Sequence, residues 1–575
     1  MAYDIRPLER SFGLETELAI RFDRNEPYYG KNCLEIYNEI CRHLTEHSSA
    51  APAPETTGKQ GLYFANGSAI WFERQWPGIK EGLIEVCTPE CKDPVELAAS
   101  HAAMESLLAS ATSGLPRNVG LLKNSVDPRG VSYGGQENYE VIGYDDEESK
   151  EWDLGIKRLT FIARFCMSLI GLLPFAFFYL LVKLSSFATA IPFTLSLMVV
   201  GYLVLCACKR RWVPAHMMFV SLIAISLVPK SFFLSRFYHR MKIGRTYEKL
   251  KPFFVSRVVW SGAGGLDRNG EFFLGQKAKS RNTDWLVAFC SFQKAIFCFN
   301  YLFKEICRQC ALPNTAELRK GLTNKRQRLC LSVGDSNMSQ QVNWLKVATT
   351  CLVLDAIEAG AIRETPKLKK PLRALKKINE DPSLDASVAT SRGQMTGIEI
   401  QQFYLNACRQ YVESFEDPPQ QALGVLKCWS EYLILLKTDQ DALVGKVDWI
   451  TKRQVMRAVV RQCGHEGATD ASDTADTAEE FVAFSNRDAL QKADLKFHEL
   501  GDAGYNQQLI VGGALKSFLG EDELDRASRM PPSVVTAVQR CRYIREFGSE
   551  IEWISWDEVK LAGKPVRSLA SEAAE

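Results

Sequence analysis

The chain has 575 residues, 46% of them hydrophobic and 24% charged, and its 70 basic and 68 acidic side chains leave a formal charge of +2. That balance argues against a bulk polyanion partner, so no nucleic-acid face is expected. The length admits about three to four domains, or one large catalytic domain with additions. Seventeen cysteines, an odd number, are spread along the chain. Neither Cys307-x-x-Cys310 nor the Cys87/Cys91 pair has the second pair or neighbouring His of a zinc site, and reduced, mostly buried thiols are expected. Residues 1–20 hold Asp4, Arg6, Glu9, Arg10, Glu15 and Glu17, which is not a signal-peptide pattern.

In chain order, residues 11–22 alternate Phe12, Leu14, Thr16 and Leu18 against Glu15 and Glu17, the period of a strand. Residues 33–46 read as a helix and Ser48–Gly61 as a loop. Leu62–Phe72 and Leu83–Cys87 read as strands. Pro94–Leu108 reads as an amphipathic helix with Asp93 as its N-cap and Pro94 at its first position. Val119–Asn124 and Tyr139–Ile142 are expected strands around a glycine-containing turn, and Phe253–Trp260 a further strand. The Ser261–Gly265 stretch lacks the Lys-Ser/Thr of a phosphate loop and reads as a turn. Gln341–Glu358 and Ile398–Val412 read as helices, Gly464–Glu479 as an acidic surface linker, and Ser568–Glu575 as a frayed tail. His498 reads as a packed helix residue.

Between Asp145 and Lys251 lie three uncharged runs: Phe165–Val182, Leu184–Cys208 and Trp212–Pro229, of 18, 25 and 18 residues. A helix of roughly 20 apolar residues crosses a bilayer core. Lys157, Arg158 and Arg164 precede the first run, and Lys209-Arg210-Arg211 follow the second. The expectation is a transmembrane hairpin of helices at 165–183 and 185–208 with basic ends inside, and a third segment at 212–229 that lies along the interface or re-enters. This makes the chain a multi-pass cell-membrane protein with a cytoplasmic catalytic domain and the membrane as a partner. The expected organisation is 1–150 and 246–465 as two parts of a catalytic domain, 151–245 as the membrane insertion, and 480–565 as a smaller C-terminal domain.

Carboxylates on neighbouring strands can hold a hard divalent cation, and such ions clamp phosphates during transfer. Glu15 and Glu17 share one strand face, Glu85 lies on another strand, Glu90 follows the Thr88-Pro89 turn, and Glu137 and Asn138 sit in a glycine-flanked segment. A Glu-x-Glu alone is weak evidence, because strand-face pairs are usually solvated.

More specific are several motifs in a fixed order. Gly13-Leu14-Glu15-Thr16-Glu17 opens the series, followed by Asn66-Gly67-Ser68-Ala69-Ile70-Trp71-Phe72-Glu73 and Glu85-Val86-Cys87-Thr88-Pro89-Glu90-Cys91. Ser132-Tyr133-Gly134-Gly135-Gln136-Glu137-Asn138-Tyr139 comes next, then Pro252-Phe253-Phe254-Val255-Ser256-Arg257, and Arg328-Leu329 leading into Gly334-Asp335-Ser336-Asn337-Met338-Ser339. Asp448-Trp449-Ile450, Asp494-Leu495 and Met530-Pro531-Pro532 extend the series. Together they resemble the Pup ligase/Pup deamidase family, proteasome accessory factor A-like.

The resemblance implies an α+β fold with a glutamine-synthetase-like antiparallel sheet, ATP and Mg²⁺ as cofactors, and as partners a Pup-like protein tag and lysine-bearing substrates. It implies Glu73 as the catalytic carboxylate, where the family carries Asp. It implies Glu15, Glu17, Asn138, Arg257 and Arg328 around the nucleotide, and Glu15, Glu17, Glu85, Glu90 and Gln136 as metal ligands. Three positions depart from the family: Gln136 replaces a histidine, Ala316–Lys320 replaces a stretch bearing Arg and His, and Thr536 stands where a C-terminal helix brings an arginine. The implied activity is ligation of the tag to lysines through an acyl phosphate. The alternatives are a deamidase/depupylase hydrolysing the same bond, and a membrane-tethered pseudoenzyme.

Overall fold

The structure, a computed structural model, describes residues 5–22, 32–54, 59–74, 80–115, 119–127, 130–142, 242–284, 294–299, 326–464 and 487–569, with 150 and 154. Its organising element is an antiparallel sheet of nine strands, ordered β10-β11-β7-β1-β5-β4-β3-β2 with β6 also on β1. The strands are β1 (Phe12–Arg21), β2 (Ala50–Pro52), β3 (Lys59–Phe64), β4 (Ala69–Arg74), β5 (Gly82–Cys87), β6 (Gly120–Leu122) and β7 (Gln136–Ile142). After a short hairpin of β8 (Gly265–Leu266) and β9 (Phe272–Phe273), β10 (Phe297–Cys298) and β11 (Arg326–Leu331) complete the sheet.

The period-two alternation of β1 separates the two faces of this sheet. Leu14 lies across from Glu137 of β7, and Glu137 from Leu331 of β11. Leu18 lies across from Ile84, and Ile84 from Phe72. These positions form the inner face. Its β1–β7–β11 half packs on the helix Gln340–Glu358, which Gly397–Glu413 and Gln420–Thr438 cover in turn, and its β5–β4 half on Cys33–His47 and Pro94–Ser113. Asp93 caps the last of these, its Oδ1 accepting from Val95 N at 2.6 Å, as the sequence predicts. At the other end of the chain, a three-stranded sheet (551–554, 558–561, 567–568) and the helix Val535–Phe547 pack against Tyr63, Ala69 and Cys87, residues of the opposite face.

Three expected elements take another form. Leu62–Phe72 is a hairpin of two strands rather than one strand: the chain reverses at Ala65–Ser68, with Gly67 at φ +90° and Asn66 Oδ1 accepting from Ser68 N at 3.1 Å. The expected Ser48–Gly61 loop contains β2 and the start of β3. Phe253–Trp260, expected as a strand, is helical over Lys251–Ser256 and Val258–Ser261. Its Phe and Val residues favour strands, but every residue from 251 to 261 is buried, and a segment buried on all sides carries no period to read.

The multi-pass membrane location is also corrected: among the described residues no helix is long and apolar enough to cross a membrane. The longest, Pro94–Ser113, carries Glu96 and Glu105. The segments 165–183, 185–208 and 212–229 lie outside the described residues, as do the Cys307/Cys310 pair, Ala316–Lys320 and nearly all of the 464–479 linker. Eleven cysteines fall among the described residues, nine of them buried.

Candidate active site

On the outer face of the sheet the same register gathers polar side chains. Glu17 of β1 lies opposite Glu85 of β5, Glu85 opposite Trp71 of β4, and Glu73 follows Trp71 by two residues on the same face. Carboxylate oxygens of Glu17, Glu73 and Glu85 lie within 4.8 Å of one another. This set of oxygens alone suits a hard divalent cation. Lys59, at the start of β3 and opposite Glu73, reaches over them: its Nζ is 2.8 Å from Glu85 Oε2 and 3.4 Å from Glu73 Oε2.

Burial shapes these groups. It pushes the Glu17 carboxyl above the ordinary range; the Lys277 ammonium pulls the other way, and Glu85 adds to the rise. Glu85 is raised by burial first, against the pull of Lys59 and with a push from Glu73. Glu17 Oε2 also accepts from Gly134 N at 2.6 Å. Gly134 has φ +110°, and a Cβ there would meet Ser125 Oγ at 2.7 Å, so the approach requires glycine. Lys277 fixes the same turn from behind, donating to Gly135 O at 2.6 Å and Gly134 O at 3.1 Å. Burial, and then the charge of Arg281, bring Lys277 down to about 8.

A second group lies one strand over. Glu15 is opposite Gln136, and Asn138 Nδ2 donates to Glu15 Oε1 at 3.0 Å. Arg328 of β11 donates from Nε to Asn138 Oδ1 at 2.8 Å and from Nη2 to Glu15 Oε1. Its side chain is 53% exposed, so the guanidinium is available to a ligand. Gln136 Oε1 accepts from the Cys330 thiol at 3.4 Å.

The structure therefore sorts the expected residues. Glu15, Asn138 and Arg328 come together, and Glu17 and Glu85 come together with Glu73. Glu90 does not join the carboxylate cluster; it pairs with Arg540 Nη2 at 2.6 Å, while Thr536 Oγ1 donates to it at 3.4 Å. Arg540 lies one helical turn beyond Thr536, so the cation expected at 536 arrives four residues later on the same helix face. It also stacks 4.7 Å from the Trp556 ring.

Arg257 is misplaced by the sequence reading. It lies on the inner side, 1% exposed, donating to Glu137 (Nη1 to Oε2, 2.9 Å) and to Thr350 Oγ1 at 2.8 Å. Burial opposes ionisation of Glu137, but the Arg257 charge prevails and holds the carboxyl below its usual value. Arg257 thus supports the floor of the sheet instead of touching a nucleotide. His498 is fully buried as expected, with Nε2 2.7 Å from Lys452 Nζ.

Lys59, Lys277 and Arg540 were not legible as site residues. Lys59 lies in the stretch read as a loop, and Lys277 has no motif around it. The spacing of Arg540 from Thr536 was a usable signal.

The fold is that of solved Pup ligases. The crystal structure of the complex between the prokaryotic ubiquitin-like protein Pup and its ligase PafA aligns with a TM-score of 0.62, at 17% identity over 98% of this chain and 88% of that one. PafA in complex with ADP aligns at 0.56, with 16% identity over 94% and 92% of the two chains. Residues 10–560 match the model of the Pup-ligase protein family, and the chain belongs to that family. Among relatives, a depupylase of Acidothermus cellulolyticus is 29% identical over 318 residues, covering 54% of this chain and 56% of its own. A Pup–protein ligase of Acidimicrobium ferrooxidans is 29% identical over 330 residues, covering 56% and 65%. The match thus spans little more than half the length of the first of these relatives.

Proposed function

We propose that this protein is an ATP- and Mg²⁺-dependent ligase that joins the C-terminal glutamate of a Pup-like tag to substrate lysines. The observation that carries the reading is the cluster of Glu17, Glu73 and Glu85 on the outer face of the nine-stranded antiparallel sheet. Mg²⁺, when bound, neutralises phosphate charge and orients the transferring group. Glu17 and Glu85 would hold it. Glu15, Asn138 and Arg328 form the adjoining patch, where the exposed guanidinium suits a phosphate oxygen. Gln136 supplies a neutral amide oxygen at its edge, a weaker donor than a charged ligand.

The γ-phosphoryl of ATP passes to the tag's terminal carboxylate, leaving ADP and an acyl phosphate. The lysine amine attacks the acyl carbon, phosphate leaves, and an isopeptide bond forms. Glu73, whose side chain is 37% exposed at the rim of the cluster, takes the amine proton.

A second reading has equal sequence support: the depupylase and ligase relatives are both 29% identical. In that branch Glu73 activates water, or attacks the amide, at the same bond. Glu73→Gln tests both: turnover in either direction is abolished while ATP affinity, measured by calorimetry, stays within a few-fold. Unchanged turnover rejects the role of Glu73.

A further inference from the structure

Lys59 is not accounted for by the chemistry above, and it sits where that chemistry needs a cation. Its Nζ contacts two of the three clustered carboxylates, Glu85 and Glu73, at 2.8 and 3.4 Å. The backbone places it there: Lys59 is the direct cross-strand partner of Glu73, so the two side chains leave the same face of the sheet. Its side chain is only 26% exposed, with Glu85 almost fully covered at 7%. Glu17 and Glu85 are carboxylates at close range, Glu17 half-buried and Glu85 buried, an arrangement that attracts a neighbouring cation. Lys277 supports Glu17 from behind the glycine turn, and Lys59 supports Glu85 and Glu73 from the open side.

An ammonium and a divalent ion repel strongly at a separation of about 4 Å in a partly covered site. They also compete for the same carboxylate of Glu85. We propose that Lys59 is a tethered counter-cation that occupies the divalent-ion seat and must swing aside for the ion to load. This inference rests on the cation-site reading above, and it adds a device the reaction itself does not require. Its consequence is a protein that binds a divalent ion more weakly than the same carboxylates would without the ammonium.

The test uses Mn²⁺ as the probe, with free ion read from the amplitude of its electron paramagnetic resonance spectrum, without nucleotide. Lys59→Met binds Mn²⁺ at least about tenfold more tightly than the wild type, and Lys59→Arg, which keeps the charge, stays near the wild type. An unchanged or weaker affinity in Lys59→Met, with measurable binding by the wild type, overturns the Lys59 proposal and leaves the cation site standing. No Mn²⁺ binding by either protein overturns both. The unsubstituted chain gives a second measurement that does not depend on how the variants fold. Saturating Mn²⁺ raises the acylation rate of the Lys59 amine severalfold in a mass-spectrometric footprint. Equal rates with and without bound Mn²⁺ contradict the displacement.

Discussion

Glu137 and Glu15 sit on adjacent strands of one sheet and each meets an arginine, yet the two pairs do different work. Glu137 and Arg257 are 2% and 1% exposed on the inner face; Glu15 and Arg328 are 16% and 53% exposed on the outer face. Strand parity alone separates them. On the inner face the guanidinium is surrounded by Thr350, Lys346 and Phe254, and the pair holds helix to sheet. On the outer face the arginine reaches solvent and shares its carboxylate with Asn138. A charged pair in this fold is structural when it is enclosed, and open to a ligand when one partner keeps contact with water.

Breaking each pair sharpens the contrast. Arg257→Ala leaves Glu137 charged and buried without its partner and should cost about 3–5 kcal/mol. Urea unfolding reads this directly, and a midpoint equal to that of the wild type would remove the structural role. Arg328→Ala should change stability by no more than about 1 kcal/mol, as exposed pairs do. Its effect should appear instead as a roughly tenfold loss of ATP affinity in calorimetry, the worth of about one charge-assisted hydrogen bond. A large loss of stability with intact ATP binding would reverse the assignment of the two faces.

The smallest effect concerns a third enclosed group. Arg10 meets Asp355 and Glu358 at 2.5 and 2.7 Å, tying the chain before β1 to the helix Gln340–Glu358. Burial raises the Asp355 carboxyl to about 6, against the pull of Arg10. The native state then binds a proton more tightly than the unfolded chain. That contribution to stability is fully present below the ordinary carboxylate range and is lost as pH rises through about 6. Asp355→Asn should flatten the fall in unfolding free energy between the ordinary range and pH 6. An unchanged slope would show that Asp355 does not titrate there.

Much of the outer face was legible before the structure. The alternation of Phe12, Leu14, Thr16 and Leu18 against Glu15 and Glu17 fixes which side of β1 is acidic, and cross-strand register then brings Glu85 opposite Glu17. Arg257 was not legible, because its segment is buried on every side and helical, so neither its period nor its partner could be read. Lys59 was hidden by a stretch rich in Ala, Pro, Thr and Gly that resembles a loop but ends in a strand. The motif around Glu90 points it to the cation. Its pairing with Arg540 depends on the packing of a C-terminal helix 450 residues away, which no local pattern encodes.

The most direct test of the acidic outer face as a phosphoryl-transfer site is to trap the activated tag. The protein is incubated with ATP, Mg²⁺ and a Pup-like tag ending in glutamate, and hydroxylamine is added to capture any acyl phosphate as a hydroxamate. The wild type should yield ADP and tag hydroxamate in equal amounts, and Glu85→Gln should yield neither. A wild type that forms no hydroxamate, or a Glu85→Gln variant that forms as much as the wild type, would contradict the account.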